Sequence, residues 1–159
     1  MPTPVRWREW REDPRIARNT GWSAAFVSWL MCEAGFSLDQ FQRNSAHSLY
    51  VGYARANPDR AAHTVHDIRQ IAPAAGDLLC AVLAPVLSSL DDLPMDAFHP
   101  MHCFLVTAVS GSQADIIGGH VGTRLAKIRV RLIESGVNAR VVRSEGQPWL
   151  LLMKLRDQR

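Results

Sequence analysis

Residues 23–32 read Ser-Ala-Ala-Phe-Val-Ser-Trp-Leu-Met-Cys, an apolar run that offers no polar face to water. A helix of that kind cannot lie on a surface, because it needs neighbours on every side. The length of the run favours helix over strand, and Gly35 stands at the C′ position, where helices commonly turn left-handed and stop. A buried helix is therefore expected over residues 23–34. The rest of the chain has to supply its walls.

Residues 44–56 place Ala46, Leu49, Tyr50 and Tyr53 at helical spacing, and Asn57-Pro58 ends that second helix. Ahead of both lies a polar extension, residues 1–20, in which Trp7 and Trp10 are spaced for one face of a short helix before Pro14. A short acidic-basic stretch with His63 and His66 follows the second helix. From Pro73 the pattern changes. Ala74-Ala75-Gly76-Asp77 is a turn, with Asp77 as a turn residue, and Leu78–Val82 is a short buried strand. Residues 84–100, with Pro85, Pro94 and Pro100, read as a long loop over the surface. Residues 102–109 and 113–117 form a hairpin around Ser110-Gly111-Ser112, and further strands are expected at 123–132, 138–143 and 148–155. Helices first and strands afterwards indicate an α+β fold, with a mainly antiparallel sheet against a central helix. A chain of 159 residues makes one domain, residues 1–159, able to bury a core without staples.

Composition narrows the functional classes. Hydrophobic residues make up 47% and charged residues 21%, as in a globular protein. No apolar run approaches the roughly 20 residues of a membrane span. Residues 1–10 are too polar for a signal peptide, with Pro2, Pro4 and Arg6 among them. A cytoplasmic location is expected, or a periplasmic or secreted one if an export signal has been removed. The net charge is +3, and Arg124, Lys127, Arg129, Arg131, Arg140 and Arg143 bias the C-terminal third. A solvated strand face accounts for them more simply than an anionic partner does, and no nucleic-acid module is present. The three cysteines, Cys32, Cys80 and Cys103, are odd in number and lie in apolar runs, which argues against a disulfide framework and against a reactive thiol. His63 with His66, and His99 with His102, have spacings a metal can use, but no carboxylate or thiolate cluster accompanies them. Neither metal nor cofactor is expected.

Nucleophilic chemistry needs an attacking atom, a base and a group that orients the base. Ser23 falls at the first turn of the buried helix, where free backbone N–H groups favour developing negative charge. Its simpler role is helix capping. The hairpin supplies the context. If its loop has three residues, 110–112, then Val106 faces Ile116, Phe104 faces Gly118 and His102 faces His120. One side of the hairpin then carries His102, Phe104, Val106, Ala108, Ala114, Ile116 and His120. A two-residue loop shifts the register by one and sends the histidines to opposite faces. In the first register His102 is the candidate base and His120 holds its ring.

At these residues the chain resembles the DUF2272 family, within the papain-like NlpC/P60 and CHAP superfamily. The matching stretches are residues 22–31, Ser45-Ala46-His47-Ser48-Leu49-Tyr50, Gly76-Asp77-Leu78-Leu79-Cys80, residues 102–106 and Ile116-Ile117-Gly118-Gly119-His120-Val121-Gly122. The resemblance implies a papain-like α+β domain and a hydrolase cleaving amide bonds in peptidoglycan peptides. Ser23 then stands at the nucleophile position that wider relatives fill with cysteine, with His102 as base and His120 as third member, where close relatives are expected to carry asparagine. Trp22, Ser45, His47 and Tyr50 are implied to border the substrate cleft. A hydroxyl is not ionised at rest, so His102 must be neutral to take its proton. Two other functions fit the same residues: an inactive domain that binds cell-wall peptide or a protein partner, and an acyl-ester hydrolase or acyltransferase. The sequence does not fix an oligomeric state.

Overall fold

The structure is a computed structural model describing residues 21–82, 87–122, 124–135, 139–143 and 148–157. The helix expected around Trp7 and Trp10 lies outside these residues. Two α-helices, α1 (Ser23–Glu33) and α2 (His47–Ala56), precede strands β1 (His63–Asp67), β2 (Leu78–Val82), β3 (Met101–Ser110), β4 (Gln113–Val121), β5 (Arg124–Ser135), β6 (Ala139–Val142) and β7 (Trp149–Leu155). The strands form a curled, antiparallel seven-stranded sheet in the order β1-β7-β2-β3-β4-β5-β6. The α+β architecture expected from the sequence is present.

α1 ends as its sequence requires. Gly35 sits at φ +86°, its N–H bonds the Cys32 carbonyl, and the Phe36 N–H returns to Met31. This is a Schellman turn, and glycine meets its left-handed position without strain. Ala24, Val27 and Met31 of α1 share an apolar cluster with Tyr50, Val51 and Ala54 of α2 and with Leu78, Cys80, Val82, Cys103, Leu151 and Met153 of the sheet. Leu79, Phe104, Val106, Ile116, Val130, Leu132 and Leu152 point to the opposite side and form a second cluster inside the curl. The alternation of β2 thus feeds two cores, which is why all five of its residues are buried.

Two segments gain definition here, and one expectation needs correction. The stretch with His63 and His66 is a strand, β1, which pairs with β7 at the sheet edge. Residues 87–100 form the expected, largely exposed loop, and part of it packs onto α2. The Met95 carbonyl closes on Gly52, where any Cβ would collide at 1.7 Å. Arg55 donates to the Leu93 carbonyl, and the His99 N–H donates to the Ser48 hydroxyl. Finally, Cys80 and Cys103 form a disulfide. They stand directly opposite each other in β2 and β3, with Cα atoms 4.1 Å apart, so strand register alone brings the sulfurs together. The odd count leaves Cys32 as the free thiol.

Asp77 is more than a turn residue. Its carboxylate accepts the Ala74 N–H at 2.7 Å, the Leu155 N–H at 2.8 Å and the Lys154 ammonium at 2.9 Å. The side chain is 1% exposed. It ties the turn before β2 to the end of β7, its neighbour in the sheet. Removing it strands two backbone donors and a mostly buried cation. Asp77→Ala is therefore expected to cost about 3 kcal/mol in urea unfolding, with Asp77→Asn recovering part of the loss; an unchanged midpoint would refute the anchoring role.

Candidate functional site

The hairpin reaches the expected register by an unexpected route. Its turn has two residues, Ser110 pairs with Gln113, and Val109 pairs with Ala114. On its own that register puts His102 and His120 on opposite faces. A bulge between Val106 and Ala108 inserts Thr107, and beyond it Val106 again faces Ile116. The bulge sets Ala108, which is exposed, opposite the half-buried Asp115, away from the side where it was expected. His102 keeps its side: its ring stacks on Phe104 with centroids 4.4 Å apart. Gly118 lies against the Phe104 ring, which a Cβ would meet at 2.4 Å.

A second irregularity interrupts the pairing of β4 with β5 between Gly118 and Val121. Gly119 there lets the backbone approach Trp22 and Phe26 of the α1 region, whose atoms a Cβ would meet at 2.5 and 2.9 Å. His120 follows at φ +56°, the only non-glycine residue with positive φ among those described. Such a conformation costs of order 1 kcal/mol or more and is concentrated at functional sites. It turns the imidazole edge-on to Trp22, with centroids 5.9 Å apart.

Ser23 occupies the first helical position of α1, with Trp22 as N-cap and no side-chain cap. The capping role is therefore not what Ser23 does. Its hydroxyl lies 2.6 Å from His47 Nε2 on α2. His47 Nδ1 in turn lies 2.5 Å from the Tyr50 hydroxyl, one helical turn further on. The helices are held in this relation by Ser28, whose hydroxyl donates to the Asn44 carbonyl and accepts the Asn44 N–H. Asn44 then receives the Ala46 N–H on its own side chain, just before α2 begins. Phe41 packs on Tyr50 at 4.8 Å.

His102 does not hydrogen-bond to Ser23. Its ring stacks on His47, with centroids 5.4 Å apart and planes 23° from parallel. Its Nε2 is buried without a hydrogen-bond partner. The Nδ1 of His120 is also buried and unpartnered. The structure brings Ser23, His47, Tyr50, His102, His120 and Trp22 into one contiguous cluster. Ser45, exposed before α2, stands outside that hydrogen-bond chain. The direct Ser23–His47 bond was not legible in the sequence, although the i, i+3 spacing of His47 and Tyr50 was the available signal.

Burial sets the protonation states. His47 is lowered to about 3, first by loss of solvent and then by the nearby His102. His102 is lowered by burial too, opposed by its Gly119 bond and reinforced by His120. Burial raises Tyr50 well above the usual phenol range, so it stays protonated. Ser23, His47, Tyr50 and His102 are thus uncharged groups near the positive end of a helix.

The α+β domain thus links a serine, an imidazole and a phenol in one buried candidate site. The chain belongs to the bacterial family described as "Uncharacterized protein conserved in bacteria (DUF2272)", which matches residues 10–155. No curated protein and no solved structure matches it. No helix among the described residues is long and apolar enough to cross a membrane. Of the basic residues on β5, Lys127 and Arg129 pair with Asp115 at the surface, contacts worth little to stability.

The lowered imidazole has a measurable sign. His47 titrates at 6.5 when unfolded and at about 3 when folded, so below 6.5 the unfolded chain binds a proton that the folded chain refuses. Stability is then full above that value and falls with acid. His102 and His63, also lowered, act in the same direction. Between about pH 7 and 5 His47 alone accounts for a loss of roughly 2 kcal/mol, and His47→Gln flattens that part of the urea-derived profile. A level wild-type profile across this range would contradict the buried neutral ring.

Proposed function

We propose that this chain is a papain-like hydrolase of the NlpC/P60 type that cleaves amide bonds in peptidoglycan peptides through acylation of Ser23. The observation that carries the reading is the Ser23 hydroxyl held 2.6 Å from an imidazole at the mouth of α1. In the first step Ser23 Oγ bonds to the substrate carbonyl carbon, and the Ser23 proton passes to an imidazole of the cluster. The carbonyl oxygen takes the negative charge, facing the unpaired N–H groups of the first turn of α1. As the C–N bond breaks, the imidazole returns the proton to the departing amine. Water repeats the sequence on the ester and releases the acid.

By the resemblance, His102 is the base and His120 the third member. Neutral imidazoles support a serine nucleophile, since only an unprotonated ring can take its proton. The buried Cys80–Cys103 bond supports folding in an oxidising compartment such as the periplasm, where peptidoglycan lies. Trp22 packs beside His120, and the resemblance assigns it to the border of the cleft.

Digestion of purified sacculi and muropeptides, followed by mass spectrometry, tests the reading. Wild type is expected to release peptides with a new carboxyl terminus, and Ser23→Ala to reduce that release by at least about a thousandfold. Intact muropeptides after exhaustive incubation with folded wild type would overturn it.

A further inference from the structure

The Ser23–His47–Tyr50 chain has a direction, and hydrogen-bond bookkeeping gives it. Tyr50 is 1% exposed, and its hydroxyl meets a single partner, His47 Nδ1. A neutral imidazole carries one N–H, so two arrangements exist. In the first, the phenol donates to Nδ1, and Nε2–H donates to Ser23 Oγ. In the second, Nδ1–H donates to the phenol oxygen and the Ser23 hydroxyl donates to Nε2. The second leaves the phenolic proton buried with no acceptor, a penalty of about 1–3 kcal/mol. The first leaves no proton of these three side chains buried without an acceptor, because Ser23 retains 9% exposure for its own.

We propose that Tyr50 and His47 form a fixed donor chain, Oη–H to Nδ1 and Nε2–H to Ser23 Oγ, and that the Ser23 proton leaves instead to His102 Nε2. This deepens the hydrolase reading above and rests on it for the second half. In the donor arrangement His47 Nε2 is already protonated and cannot act as base. It stabilises negative charge on Oγ, both as attack begins and when the acyl group departs. His102 is the complement. Its ring lies stacked on His47, and its Nε2 is buried without a hydrogen-bond partner, so the Nδ1–H tautomer leaves that nitrogen available as an acceptor. One hydrogen bond from the protein and one imidazole acceptor then serve the same oxygen. His47 is a catalytic residue in this scheme because it touches the nucleophile, and Tyr50 is a positioning residue that sets the His47 tautomer.

The donor chain is read directly from wild type. Long-range proton–nitrogen correlation spectra of uniformly ¹⁵N-labelled protein distinguish the two tautomers, with His47 assigned through its contacts to the Tyr50 ring. Protonated Nε2 and bare Nδ1 are expected at neutral pH, and Tyr50→Phe should introduce the other tautomer. A protonated Nδ1 in wild type overturns the donor chain and leaves the hydrolase reading standing. The base is read from the rate at which a fluorophosphonate labels Ser23. His102→Gln is expected to slow labelling by about 10²–10⁴-fold while the His47 signals stay in place. Unchanged labelling overturns His102 as base. Wild type that never labels overturns the hydrolase reading and the base with it, and the tautomer spectrum still judges the donor chain.

Discussion

The packing of α1 against α2 depends on a polar chain that carries no charge. Ser23, His47 and Tyr50 are all buried where the two helices meet, among Phe41, Val27 and Val51. An imidazolium there would lose its hydration with no carboxylate to meet it, and the low pKa of His47 expresses that cost. As neutral groups the three satisfy one another, and two helices that carry no side-chain cap are held in register by side chains between them. The Ser28–Asn44 pair makes the same connection a turn lower. The site and the helix interface are one structure, so a change that charges the site also loosens the fold.

The sheet brings the other half of the cluster, and two local irregularities aim it. Without the Thr107 bulge, the two-residue turn of the hairpin would put His102 and His120 on opposite faces. Without the break between Gly118 and Val121, β4 would continue flat along β5, and His120 would have no reason to adopt a left-handed backbone. Extra residues in a strand re-aim side chains at modest local cost, and sheets commonly place them beside sites. The Cys80–Cys103 bond, in the pair next to Ala81 and His102, fixes the strand that presents His102.

What the sequence disclosed follows the range of the forces involved. Local signals were sufficient for α1 and its Gly35 stop, for β2, and for the strands of the second half, because periodicity and turn chemistry act over a few residues. β1 was missed because it is a short edge strand of polar residues, His63-Thr64-Val65-His66-Asp67, whose pairing with β7 is its only reason to extend. The disulfide was missed because strand register, not cysteine count, decides whether two sulfurs meet. The face shared by His102 and Val106 was anticipated from a three-residue loop, whereas the structure reaches it with two residues and a bulge, and Ala108 shows the difference. Ser23 and His47 were both marked, yet their hydrogen bond is a contact between separate helices, which no spacing within either one encodes.

The same neutrality bears on why a serine can stand where wider relatives are expected to carry cysteine. A thiol nucleophile is served by a standing thiolate–imidazolium pair, which needs a ring that holds its proton. Burial, with a neighbouring imidazole in each case, pushes both His47 and His102 the other way. A cysteine at position 23 would face rings that resist charging, and the ion pair that activates it would be disfavoured in this interior. A hydroxyl needs no such pair at rest. It asks for an acceptor that is free when attack begins and a donor that steadies the oxygen as charge grows. His102 Nε2 and the His47–Tyr50 chain meet those two demands separately, so the proposed chemistry requires serine and neutral histidines together.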